Sequence, residues 1–136
     1  MKKILLALFI IVSAASADAQ CENTIDYCKS NFSNEFISDG QVYKALLYND
    51  QIAEFDISLF GGNTYRISCG SGEGGGNLVF RLYDKEKNLL FSNQDYTNAP
   101  FWDFVLESTI DCTIEAQLDL NRVESGCGVL LIGFKE

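Results

Sequence analysis

The sequence predicts an all-β fold: a two-sheet antiparallel sandwich of jelly-roll type, preceded by a short helical or irregular segment. Three observations lead there. From Gln41 onward, apolar and polar residues alternate with a period of two, the spacing at which a strand sends successive side chains to opposite faces. Eight such runs are separated by turn formers at about ten-residue intervals, the rhythm of a sandwich rather than of βαβ units. The last run, Cys127 to Phe134, is apolar at both parities, as expected of a strand covered on both faces.

Taken in order, Met1 to Ala19 has the parts of a secretory signal. Lys2 and Lys3 give a positive start, Ile4 to Val12 is an unbroken apolar run too short to span a bilayer, and Ala17-Asp18-Ala19 is a small-x-small cleavage site. Asp18 and Gln20 stand where a lipid-acceptor signal at Cys21 would want small and aliphatic residues. Residues 20–40 form an N-terminal segment in which Asn23 would cap a short helix, with Asp26 three residues on. Ile25, Cys28 and Phe32 would share one of its faces. Ser38-Asp39-Gly40 is a turn signal.

The sandwich domain then spans 41–136. Its first strand is Gln41 to Tyr48. In Ile52 to Phe60, Ala53, Phe55, Ile57 and Leu59 alternate with Glu54, Asp56 and Ser58. Gly61-Gly62-Asn63 reverses the chain, and Tyr65, Ile67 and Cys69 face one way in the strand Thr64 to Gly70. After the Gly-rich crossover Ser71 to Asn77, Leu78, Phe80 and Leu82 alternate. A turn at Asp84 to Asn88 leads to Leu89-Leu90-Phe91. The loop Asn93 to Pro100 precedes Phe101 to Leu106, and Asp111 to Leu120 precedes the closing strand.

Composition excludes several functions. Ten basic against nineteen acidic residues give a net charge of −9, a field that repels nucleic acid and anionic lipid. The absence of His removes the imidazole base, the Ser-His and Cys-His dyads and His-ligated zinc. SGEGGG lacks the Lys-Ser/Thr ending of a phosphate cradle, and Glu73 would repel phosphate. The expected product is a secreted or periplasmic, non-catalytic module with no membrane insertion and no required cofactor.

The run FDISLFGGNTYRISCGS…NLVFRLYDKEKNLLFSNQD, followed by DCTIEAQL and GCGVLLIGF, resembles the bacterial pre-peptidase C-terminal (PPC) domain. Gly62 to Tyr65, Leu82 to Asp84 with Leu89, and Asn93 to Asp95 stand at that family's Gly-x-x-Tyr, hairpin and Asn/Asp-rich loop positions, over about residues 42–134. The resemblance implies a jelly-roll-like sandwich of the kind appended to secreted enzymes. The chain is most similar to small stand-alone secreted bacterial proteins of unassigned function, and it departs from the family pattern in its additional cysteines. The collagen-binding modules of that family use calcium. Oxygen ligands from Asp39, Asp84, Glu86 and Asp95 would be the candidates here, although no Asp-x-Asp-x-Asp-Gly loop is present.

Five cysteines lie beyond the signal, where an oxidising compartment would pair them. If strands alternate up and down, Cys69 and Cys127 fall at one end of the sandwich, which predicts a Cys69–Cys127 bridge. Cys21–Cys28 would staple the N-terminal segment, leaving Cys112 as a core thiol. For ligand binding, Trp102 beside Tyr96 and Asn98 would offer a stacking platform for a glycan or a protein if Trp102 faces outward. An inward Trp102 would be plain core. A structural or accessory envelope protein is the alternative, and a carboxylate-dependent hydrolase a distant one that would need two carboxylates converging in a groove.

Overall fold

The alternating runs pair into two antiparallel sheets in the computed structural model, which describes residues 21–72 and 75–136. The signal segment Met1 to Ala19 lies outside the described residues. Residues 21–30 form a helix, α1. The strands are β1 (Ile37–Ser38), β2 (Tyr43–Tyr48), β3 (Ile52–Leu59), β4 (Thr64–Ser71), β5 (Leu78–Asp84), β6 (Leu89–Ser92), β7 (Phe101–Val105), β8 (Ile110–Leu118) and β9 (Ser125–Lys135). A single 3-10 turn, Asn93–Tyr96, follows β6. The eight runs read from the sequence are β2 to β9 within a few residues. The two-residue β1 is an addition.

One sheet has the order β2–β9–β4–β7, with β1 also pairing β9, and the other β3–β8–β5–β6. Apart from the β5–β6 hairpin, which stays within one sheet, successive strands from β2 onward therefore pass between sheets in the winding of a jelly roll. The inner faces meet in one core built around Phe80, Leu59, Ile67, Leu78, Leu82, Ile114 and Leu130. The period-two pattern is the cause. Ile67 sits opposite Ile132 in the β4–β9 ladder, and Phe55 opposite Ile114 in the β3–β8 ladder, so each cross-strand pair sends two apolar side chains inward.

The outer faces differ. On the β3–β8 sheet, Glu54, Asp56 and Ser58 of β3 are exposed. On the other sheet α1 lies across β9 and β4, and the odd residues Cys127, Val129 and Leu131 form a second cluster with Cys21, Cys28, Ile25, Tyr27 and Phe32. That layer explains why β9 is apolar at both parities. It also places Ile25, Cys28 and Phe32 together, as their spacing suggested. The approach is close: a Cβ on Gly133 would lie 2.8 Å from the Phe32 ring. Thr24 and Ser68 fix the helix to the sheet, Thr24 Oγ1 donating to Gly72 O at 2.8 Å and Ser68 Oγ to Cys28 O at 2.8 Å. The N-cap reading of Asn23 is corrected, because the helix already includes residue 21.

Both predicted disulfides are corrected as well. The bond present is Cys21–Cys127, with Cα atoms 5.3 Å apart, and Cys28, Cys69 and Cys112 are free and buried. Cys69 and Cys127 do lie on neighbouring strands, but Cys69 stands opposite Leu130. It therefore shares the inward face with Leu130, while Cys127 points outward beneath α1. Cys21 and Cys28 are seven residues apart in one helix, roughly 10 Å along its axis, beyond the reach of a disulfide. The helix directs Cys21 onto β9 instead. No helix among the described residues is long and apolar enough to cross a membrane.

Candidate functional site

The aromatic residues singled out near 96–104 close the slot between the edge strands β6 and β7. Trp102 pairs with Ile67 and Phe104 with Tyr65, so both rings take the inward parity and pack on the main core. Phe91 touches Trp102 at 5.2 Å and Phe104 at 5.0 Å between ring centres. Tyr96 lies 4.1 Å from Trp102 and stacks on Phe91, with half its surface still open. The structure thus brings Tyr96 and Trp102 together, but as a plug whose outermost ring is Tyr96. Trp102 is only partly exposed, so the outward-facing Trp102 platform is corrected.

Asn98 is buried. Its Nδ2 donates to Gly76 O at 3.1 Å and to Asp119 Oδ2 at 2.7 Å, tying the β4–β5 crossover to the β8–β9 turn. Nearby Asn93, which the sequence places in a loop, is fully buried. Its Oδ1 accepts from Phe80 N, and its Nδ2 donates to Leu78 O and Ala99 O. Only the run of turn formers hinted at such a role.

The four residues named for calcium do not converge. Asp84 Oδ1 accepts from the amides of Glu86 and Asn88, and Oδ2 from Asn88 Nδ2. These bonds hold its carboxyl below the usual range and cap the β5–β6 hairpin. Glu86 is exposed in that hairpin. Asp95 belongs to the 3-10 turn beside the start of β5, at the other end of the strand from Asp84. Asp39 lies between β1 and β2 on the other sheet. Among the described residues no three His, Cys, Asp or Glu side chains gather as metal ligands.

Two surfaces that the sequence did not flag lie on the β2 side. α1 covers the middle of its sheet and leaves the outward faces of the flanking strands β2 and β7 open, with Asp103 and Val105 exposed on β7. The inward residues of β2 are Tyr43, Ala45 and Leu47, and its outward ones are Lys44, Leu46 (65% exposed) and Tyr48 (61%). Val42, just before β2 and beyond Lys44 on this face, is 44% exposed and borders an apolar groove of about 400 Å³ lined with Phe32, Phe36 and Leu131. Around the β1–β2 connection, Gln41 also borders a second cleft of about 650 Å³, between the two sheets at the end that carries the β3–β4 turn.

That cleft is walled by Tyr43, Phe60 and Phe134, with Asp39 and Glu136 contributing carboxylates. Asp39 is held in place, its Oδ1 accepting from Gln41 N at 2.9 Å and its Oδ2 from the Tyr43 hydroxyl at 3.1 Å. Burial, and then the Asp39 charge, push the Tyr43 hydroxyl up to about 12, so it stays protonated as the donor. Phe60 is 58% exposed on a fixed backbone: its amide donates to the Tyr65 hydroxyl at 3.0 Å and its carbonyl accepts from Asn63 Nδ2 at 3.3 Å. The turn that follows packs onto the β7–β8 turn. Gly62 N donates to Leu106 O at 2.7 Å, and a Cβ on Gly61 would lie 2.8 Å from the Ser108 backbone.

Neither a family model nor a curated protein matches the chain. Among solved structures, it is similar to Aeromonas hydrophila PliG, a periplasmic lysozyme inhibitor of g-type lysozyme. The match has a TM-score of 0.54 at 14% identity and covers 77% of this chain and 92% of that one. The likeness is one of fold, a β-rich architecture consistent with the sandwich described above.

Proposed function

We propose that the chain is an extracytoplasmic, non-catalytic module that binds a protein, and that a g-type lysozyme is the partner to test first. The observation that carries this reading is the exposed apolar surface of the edge strand β2, Leu46 and Tyr48, with Val42 and the Phe32–Phe36 groove beyond Lys44 on the same side. Exposed apolar side chains of this kind, interspersed with polar groups, are what protein interfaces use. The fold shared with a protein inhibitor supports the same reading. The Cys21–Cys127 disulfide supports an oxidising, extracytoplasmic location. Kinship with PPC domains is part of the proposal: Gly62 to Tyr65 runs from the β3–β4 turn into β4, and Leu82 to Asp84 with Leu89 flank the β5–β6 hairpin turn.

Titration calorimetry against purified g-type lysozyme, together with a lysis assay, tests the proposal. Saturable one-to-one binding with loss of lysis is expected. Leu46→Lys should weaken it by about tenfold or more while leaving the melting temperature unchanged, because Leu46 is exposed. Binding to peptidoglycan fragments instead, with no response to the enzyme, would replace a protein ligand by a glycan. Silence toward both would favour a structural envelope role.

A further inference from the structure

The chain shows on its own surface how it holds a cation. The Arg66 guanidinium lies 4.5 Å from the centre of the Phe36 ring and 4.4 Å from that of Phe101. It also makes a two-bond fork to Asp103, Nε to Oδ1 at 2.7 Å and Nη2 to Oδ2 at 2.9 Å. Aromatic faces plus a carboxylate fork are what guanidinium chemistry selects.

The 650 Å³ cleft presents the same kinds of group around open space: the rings of Tyr43, Phe60 and Phe134 and the carboxylates of Asp39 and Glu136. No Lys or Arg lines it among the described residues. Its third carboxylate, Asp56, is already engaged by the Thr113 hydroxyl at 2.8 Å and by Lys85 at 3.4 Å. The Asp39 carboxylate and the Phe60 backbone are fixed by the bonds described above, which lowers the ordering needed on binding. A net charge of −9 makes a basic partner surface the complementary one.

We propose that this cleft receives a basic side chain, arginine in preference to lysine, projected by a protein partner. The proposal rests on the protein-binding reading and specifies the chemistry of the partner's anchor. Gln41 borders both the apolar groove and the cleft, so one partner would cover the groove and insert its cation beside it.

The test needs no partner. Amide shifts of the whole protein are followed by two-dimensional NMR while N-acetyl-arginine amide is added, with the uncharged isostere N-acetyl-citrulline amide as control. Saturable shifts at Gln41, Tyr43, Phe60 and Asn63 are expected. Citrulline amide and the variants Asp39→Asn and Phe60→Ala should each bind about tenfold more weakly. Both positions are exposed, and each variant's spectrum reports its fold. Equal response to arginine and citrulline amides, or arginine shifts spread over the acidic surface without saturation, would overturn the cleft as a cation pocket. The two proposals separate cleanly. A saturable arginine response without lysozyme binding keeps the pocket and removes that partner, whereas lysozyme binding with a silent cleft keeps the partner and removes the pocket.

Discussion

Cys28, Cys69 and Cys112 are buried without disulfide partners, and their protons report on folding. Burial pushes the Cys28 thiol up to about 12, that of Cys112 to about 11, and that of Cys69 upward too, from an ordinary value of 9.0. The folded state therefore keeps protons that the unfolded chain releases once pH passes 9, and stability falls from there up to the folded values. Below pH 9 these thiols leave stability flat. Urea melts between pH 7 and 10.5 should show a midpoint that is level and then declines, and Cys28→Ala with Cys112→Ala should make the decline shallower. The same burial makes all three thiols inert to a thiol reagent until the protein unfolds. A rapid reaction in native buffer would contradict their placement.

Among the elements, α1 has the least sequence pattern behind it and the most conspicuous anchoring. It is joined to β9 by Cys21–Cys127, which closes a loop with a sequence separation of 106. Cross-links of that span restrict the unfolded chain strongly, and removing one typically costs about 2–5 kcal/mol. Cys127→Ser is expected to lower stability by that order in chemical denaturation and to raise amide exchange first in residues 21–30. Exchange rising first in β5 or β8 would show that the bond does not act through the helix.

The aromatic plug offers a second test at this scale. Trp102→Ala should cost about 3 kcal/mol because the ring packs on the core, whereas Tyr96→Ala should cost about 1 kcal/mol. Reversal of that order, read from melting curves, would place Trp102 outside. These elements also show what a sequence exposes. Alternation revealed the strands and the two-faced burial of β9, because period and parity are local. The disulfide required the register that sets Cys69 opposite Leu130, together with a helix path over β9. The cleft joins Asp39 and Tyr43, Phe60, and Glu136 from three separated stretches, and no local pattern announces such a meeting.

At the scale of the whole molecule, charge and apolar surface divide the work of recognition. The net charge of −9 is spread over strands and turns, and on the outer face of β3 it appears as Glu54 and Asp56. Such a field acts over a Debye length of about 10 Å at 0.1 M salt. It speeds the approach of a basic partner without adding much to the final contact. The exposed apolar surface of β2 acts after contact, by excluding water, and is far less sensitive to salt. The two contributions should therefore separate kinetically. Raising salt from about 0.05 to 0.5 M is expected to slow association with a basic partner by about tenfold and to change dissociation much less. Leu46→Lys should instead act mainly on dissociation. Stopped-flow measurement of both rates decides the point. Association independent of salt would mean that the acidic surface serves solubility alone, and that the β2 surface and the cleft find their partner by unsteered diffusion.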